Sequence, residues 1–114
     1  MSMTYNLEKL EELSGGDQEF IDSVITVFVE DTPADVKALK QAVASGDFEN
    51  IYRQAHKIKP NLDLLGMQEA KNLVLEIEND ARKREPLAVI EDKVERVCGM
   101  IEDTIKVLIA DFRG

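Results

Sequence analysis

The amino-acid sequence predicts an all-α fold, namely an antiparallel four-helix bundle with a short N-terminal helix. Apolar residues recur at helical spacing along most of the 114 residues. The sequence shows neither strand-like alternation nor an Asn-Gly or Asp-Gly hairpin signal. The stretches between the periodic segments are short, so consecutive helices should pack as antiparallel neighbours. A chain of this length fits a single domain, residues 1–114.

The first predicted helix is short and covers residues 6–13. Asn6 is a suitable N-cap, and leucines follow at intervals of three residues. The sequence SGGD at 14–17 ends this helix and supplies Asp17 as the N-cap of the next one. The leucines of its apolar face are Leu7, Leu10 and Leu13.

The second predicted helix covers about 18–45 and contains a proline. Because proline lacks an amide hydrogen and crowds the preceding turn, Pro33 predicts a kink or break near Thr32. The residues expected to face the core are Phe20, Val24, Val27, Phe28, Ala34, Ala38 and Val43.

Three further helices complete the predicted bundle. The third covers about 48–64, and Gly66 marks its end. The fourth spans about 67–84 and ends in the basic sequence ARKRE, which suits the helix dipole. Pro86 lies near the first turn of the fifth, which runs to about residue 112. The apolar residues are Ala70, Leu73, Leu75 and Ile77 in the fourth helix, and Leu87, Ile90, Val94, Val97, Ile101, Ile105, Leu108 and Ile109 in the fifth.

The charge balance disfavours two classes of partner. Fourteen basic residues stand against 23 acidic ones, giving a net charge of −9. Nucleic acids and anionic membranes both require a basic surface, so neither is expected to bind. The sequence has no signal-type N-terminal run and no long apolar stretch, and the single cysteine, Cys98, cannot form an intrachain disulfide. We therefore expect a soluble, cytoplasmic, monomeric protein.

The chain has one histidine, His56, in the middle of the third predicted helix. On a helical wheel of about 100° per residue, the apolar residues of this helix form one narrow stripe centred on Ile51. His56 falls about 140° from that centre, on the same side as Tyr52, Lys59 and Asp63. The imidazole is therefore predicted to face solvent.

Several kinds of site could contain such a histidine. Most lone surface histidines are ordinary surface residues. A metal site is disfavoured, because there is no second histidine and Arg53 stands where a Glu-x-x-His di-iron motif needs glutamate. A Cys–His pair is also disfavoured, because Cys98 lies in the apolar-rich last helix and is expected to be a small core residue.

Cations surround the histidine in an otherwise acidic chain: Arg53, Lys57 and Lys59 all lie within three residues of His56. Nearby cations favour the neutral form of an imidazole and can offset the charge of an incoming anion. A neutral, exposed imidazole nitrogen is a nucleophile. The pattern therefore predicts a carrier of a phosphoryl group on histidine.

The stretch AHKIKPNLDLLG resembles the core pattern of the histidine-containing phosphotransfer (HPt) domain family. That pattern is His-x-x-Lys-Gly, preceded by Ala and followed by a glycine ten residues after the histidine; Ala55, His56, Lys59 and Gly66 stand in register with it. The order of the preceding helices is also similar, so the resemblance covers nearly the whole chain. Pro60 stands where the family has glycine. Because a proline ring is compact and has no freely rotating side chain, we expect it to keep the clearance that a partner needs.

The resemblance implies an intermediate of multistep histidine–aspartate phosphorelays. His56 would carry the phosphoryl group and Lys59 would stabilise it. The group would be exchanged with the aspartate of response-regulator receiver domains, with a hybrid sensor histidine kinase upstream. The chain would not be a kinase, because the sequence has no ATP-binding segment or Gly-rich phosphate loop, and it would need no cofactor, since the receiver binds the magnesium. The alternative is a related interaction module that docks receivers without accepting phosphate.

A docking surface is expected around the histidine. Asp63 is either solvated or bonded to a lysine of the site, and Leu64 and Met67 are predicted to form an exposed apolar patch. Glu78 is the candidate for the polar residue that some family members place near the phosphoryl group from the next helix, although a carboxylate there would repel phosphate. The predicted docking residues are Tyr52, Arg53, Lys57, Pro60, Asp63, Leu64 and Met67.

Overall fold

The computed structural model describes residues 5–112, which form five helices and contain no strand. The helices are α1 (Glu8–Ser14), α2 (Gln18–Ala44), α3 (Phe48–Leu64), α4 (Gln68–Lys83) and α5 (Leu87–Phe112). The four long helices form the bundle: α3 packs against α2 and α4, and α5 packs against the same two helices. The short α1 packs on α2. This confirms the predicted fold class.

Side-chain caps and left-handed residues explain where the helices begin and end. The Asp17 carboxylate accepts a hydrogen bond from the amide of Glu19 at 3.0 Å, so it caps α2 as predicted. Asp47 caps α3 in the same way. Gly66 has φ +64°, and its left-handed conformation ends α3 as expected.

The predicted N-cap of α1 is wrong by one residue. Leu7 occupies the N-cap position, and α1 starts at Glu8. Asn6 still satisfies one orphan donor, because its side-chain oxygen accepts from the amide of Glu8 at 2.9 Å. Its own amide donates to the carbonyl of Leu65 at 2.7 Å, which ties the chain before α1 to the turn after α3.

The core-facing stripe predicted for α2 is wrong in several members. Phe20 and Val27 are 43% and 55% exposed, and Ala34 is also exposed. Apolar residues occupy two adjacent faces of this helix. The face that packs against α3 and α5 is the one that contains Ile21 and Ile25, and the face that contains Phe20 and Val27 stays exposed. Three leucines and one isoleucine that were assigned to the apolar faces of the other helices are also exposed, namely Leu13, Leu75, Leu87 and Ile109. The buried residues of α2 are Ile21, Ile25, Phe28, Val29, Thr32, Val36, Leu39, Ala42 and Val43.

The break predicted near Thr32 does not occur. Helix α2 runs through Pro33 without interruption. The proline itself is exposed, whereas Val29, whose carbonyl loses its amide partner, is a buried residue of the same helix. Within residues 5–112, no helix combines the length and apolar content needed to cross a bilayer.

Candidate functional site

His56 lies near the middle of α3, opposite Glu78 of α4. Its Nδ1 is 2.8 Å from Oε2 of Glu78. The His56 side chain is 58% exposed, whereas that of Glu78 is 6% exposed. A carboxylate can only accept a hydrogen bond, so Nδ1 carries the hydrogen and Nε2 keeps its lone pair in the neutral ring. The site therefore presents a free imidazole nitrogen to solvent.

Lys59 contacts the same carboxylate. Its Nζ lies 3.0 Å from Oε1 and 3.4 Å from Oε2 of Glu78. A buried carboxylate requires hydrogen-bond partners, and His56 and Lys59 supply them. Glu78 thus lies beside the histidine, as the sequence suggested. Its carboxylate accepts hydrogen bonds from both the His56 ring and the Lys59 ammonium group.

The other predicted cations are also paired with carboxylates. Lys57 forms an ion pair with Asp35 of α2 at 3.1 Å. Arg53 pairs with Glu49, one turn earlier on α3, at 3.3 Å. Carboxylates therefore compensate the positive charge that the sequence suggested around the histidine. Two of these carboxylates, Asp35 and Glu78, belong to neighbouring helices.

An aromatic contact that the sequence did not predict completes the site. The rings of Tyr52 and His56 stack, with centroids 5.7 Å apart and an interplanar angle of 14°. Arg82 of α4 donates a hydrogen bond from Nη2 to the Tyr52 hydroxyl at 2.6 Å, and its Cζ lies 4.5 Å from the centroid of that ring. Among residues 5–112, Arg82 has no carboxylate within ion-pair distance. Tyr52 and His56 are four residues apart on α3, as Glu78 and Arg82 are on α4. The two antiparallel helices therefore form two cross-helix pairs one turn apart, His56 with Glu78 and Tyr52 with Arg82.

Asp63 does not contact a lysine of the site. Its carboxylate accepts a hydrogen bond from Lys71 of α4 at 2.8 Å and another from Lys9 of α1. These two hydrogen bonds, the one from Lys71 first, lower the pKa of Asp63 to about 2. Asp63 therefore joins α3 to α4 and to α1.

Replacement of Asp63 by asparagine should destabilise the fold in a pH-dependent way. The pKa in the folded state, about 2, is depressed below the unfolded value of about 4, so the carboxylate stabilises the fold above about pH 4. That contribution should be lost as the pH falls from about 4 to about 2. Urea unfolding at a series of pH values would show a wild-type advantage at neutral pH that disappears in acid. An advantage that persists unchanged at the acid end would contradict this assignment.

Leu64 and Met67 do not form the predicted patch. Met67 is 5% exposed, because α3 ends at Leu64 and the helical spacing no longer applies beyond it. Leu64 is half-buried and lines a shallow apolar groove of about 250 Å³ between α2 and the end of α3. The residues around the groove are Ser23, Val24, Val27, Phe28, Asn61, Leu64 and Leu65.

Two other kinds of site were considered from the sequence, a cysteine nucleophile and a metal site. Cys98 is buried, as expected, and burial raises the pKa of its thiol to about 11, so it is a poor nucleophile. Within residues 5–112, no group of three or more His, Cys, Asp or Glu side chains is arranged to hold a metal ion.

Comparison with known proteins identifies the family. The family model for the Hpt domain matches residues 23–107, which include α3 and α4 with the histidine site. The chain belongs to the Hpt domain family. Hpt domains are phosphotransfer modules of two-component signalling, and they are carriers rather than kinases.

A solved structure shares the fold of this Hpt domain. It is the crystal structure, at 1.80 Å, of the HPT domain from the Hpt sensor hybrid histidine kinase from Shewanella. The two are 13% identical, the match covers 97% of each chain, and the TM-score is 0.81. The comparison with curated proteins found no match.

Proposed function

We propose that this Hpt domain is a phosphorelay intermediate that carries a phosphoryl group on Nε2 of His56. The observation that supports this most strongly is the hydrogen bond from Nδ1 of His56 to the buried Glu78 carboxylate. It leaves Nε2 as the nucleophilic nitrogen on an exposed ring. Lys59, held within 3.4 Å of both Glu78 oxygens, is the proposed cation for the phosphoryl group.

The proposed transfer step uses the free Nε2 of His56 as the nucleophile. The lone pair of Nε2 attacks the phosphorus of a receiver's aspartyl phosphate, and a bond forms between nitrogen and phosphorus. The bond from phosphorus to the aspartate oxygen breaks, and its electron pair stays on the released carboxylate. The ring keeps its hydrogen on Nδ1, and the positive charge that develops there faces Glu78. The reverse step returns the group to an aspartate.

The proposed partners are receiver domains, with a hybrid sensor histidine kinase upstream. Their docking surface would include the exposed face of α3, with Arg53, Lys57 and Pro60 around the histidine. The docking surface would also include the apolar groove lined by Leu64 and Val27, between α2 and the end of α3. In this proposal the domain acts in the cytoplasm as a monomer, and the magnesium needed for transfer is bound by the receiver.

A transfer assay tests the proposal. Wild type and His56→Gln are each incubated with phosphorylated receiver domains, and acid-labile label on the Hpt domain is followed. We expect wild type to take up label and His56→Gln to take up none, because the amide side chain has no nucleophilic nitrogen. The variant should fold normally, since the side chain is 58% exposed. Failure of wild type to accept label from any cognate receiver would refute the carrier function.

One observation favours the alternative, a receiver-docking module that accepts no phosphate. Glu78 places a carboxylate beside the imidazole, and it competes with a phosphoryl group for Lys59. The same assay separates the two functions when receiver binding is measured in parallel. Binding without uptake of label would indicate a docking module.

A further inference from the structure

We propose that Tyr52 is a positioning residue that sets the plane of the His56 ring, and that Arg82 holds Tyr52 in place. This inference rests on the proposed function, because it concerns the reactivity of His56. It starts from the stacked rings, which lie 5.7 Å apart and 14° from parallel. No other ring stacks on the imidazole among residues 5–112.

The hydrogen bond to Glu78 restricts the histidine only in part. It anchors Nδ1, yet an exposed ring held at one atom can still tilt about that contact. A second ring packed against its face removes this freedom, because tilting would break the stack. The two contacts together hold Nδ1 on the carboxylate and direct Nε2 away from the protein. Positioning a reacting atom in this way lowers the cost of reaching the transition state.

Tyr52 is itself well anchored. It is half-buried and packs against the hydrophobic core. Arg82 donates to its hydroxyl at 2.6 Å and contacts the ring through its guanidinium group. Because Arg82 has no carboxylate partner among the described residues, its hydrogen bond to Tyr52 is not weakened by a competing ion pair. The face of an aromatic ring also attracts positive charge, which would favour the charged ring formed during transfer.

Two variants separate stacking from simple packing. Tyr52→Leu keeps an apolar side chain against the core and removes the stack. Tyr52→Phe keeps the stack and loses only the bond from Arg82. His56→Gln measures the background of acid-labile label that is not carried by His56. Melting temperatures show whether each variant is folded.

The first readout is the tautomer of His56, measured by ¹⁵N NMR at alkaline pH in the unphosphorylated proteins. The second is the initial rate at which each protein takes up acid-labile label from phosphoramidate. This small donor loses ammonia as its phosphoryl group bonds to Nε2, and it needs no docking surface. We expect Tyr52→Leu to show a larger share of the Nε2–H tautomer and an uptake rate about threefold to tenfold lower, the size expected for an aromatic pair. Tyr52→Phe should fall between wild type and Tyr52→Leu in both, because it keeps the ring contacts but loses the bond from Arg82 that holds the ring in place.

The outcomes of the experiment are distinct. If Tyr52→Leu retains the wild-type tautomer share or the wild-type rate, the positioning role is refuted. Equal effects of leucine and phenylalanine would also refute it, since the stack would then be irrelevant. If wild type itself takes up no label, the carrier function fails, and the tautomer comparison alone decides whether Tyr52 positions the ring.

Discussion

Replacement of Glu78 by alanine should lower the rate of phosphoryl uptake by about 10-fold to 100-fold. A loss of this size is typical when the hydrogen-bond partner that orients a metal-binding imidazole is removed, and Glu78 orients the His56 ring through the same kind of bond to Nδ1. The variant loses the acceptor for Nδ1 of His56, and it also removes the carboxylate that holds Lys59 beside the ring. Initial rates of acid-labile labelling, from phosphoramidate and from a phosphorylated receiver, would measure the effect.

Glu78→Gln is the matched control for this experiment. The glutamine amide has a similar shape, and its oxygen can still accept from Nδ1 of His56. It should therefore retain much more activity than alanine, although the negative charge is gone. Uptake by Glu78→Ala at the wild-type rate would show that the buried carboxylate does not prepare the histidine, and the mechanism proposed for the site would then be wrong.

Replacement of Gly66 by alanine should reduce the free energy of unfolding by about 2–4 kcal/mol. Gly66 has φ +64°, a conformation that side chains with a Cβ adopt at a cost. A Cβ at this position would also lie 2.8 Å from the backbone oxygen of Asn6. The backbone would have to move, and the hydrogen bond from Asn6 to Leu65 lies in the same contact.

Gly15→Ala provides the matched comparison, measured by the same chemical denaturation. Gly15 has φ +63°, nearly the same conformation, but a Cβ there would meet nothing within 4 Å. It should lose only the conformational part, about 1 kcal/mol. Equal losses at the two glycines would show that close packing of Asn6 on Gly66 is unimportant for stability.

The sequence predicted the helices well, because their ends are marked by local signals. Asp17 and Gly66 act within one turn of chain, and the boundaries of α3 were predicted correctly at both ends. The solvent-facing position of His56 was also correct, because α3 has one narrow apolar stripe. Helix α2 has apolar residues on two adjacent faces, so periodicity alone could not decide that Phe20 and Val27 remain exposed.

The contacts of the site could be predicted only in part. The partners of the histidine surface, Asp35, Glu78 and Arg82, lie on other helices, and their positions depend on the register between helices. That register is set by packing of the whole core, which no single helix encodes. Glu78 was a candidate because of the resemblance to the family, whereas its bond to Lys59 was not foreseen. Tyr52 and His56 are four residues apart, as are Glu78 and Arg82. This equal spacing is a signal that could have suggested the two cross-helix pairs, His56 with Glu78 and Tyr52 with Arg82.

The proline in α3 has a consequence for any protein that covers this face. Pro60 has no amide hydrogen, so the carbonyl oxygen of His56 lacks the donor that the helix would normally provide. In the free protein, water can satisfy this oxygen, because His56 and Pro60 are both exposed. A partner that excludes water there must bring a donor of its own or accept a penalty of about 1–3 kcal/mol for an unsatisfied acceptor. The backbone of the phosphoacceptor helix thus adds a chemical requirement to partner choice, one that a glycine at position 60 would not impose.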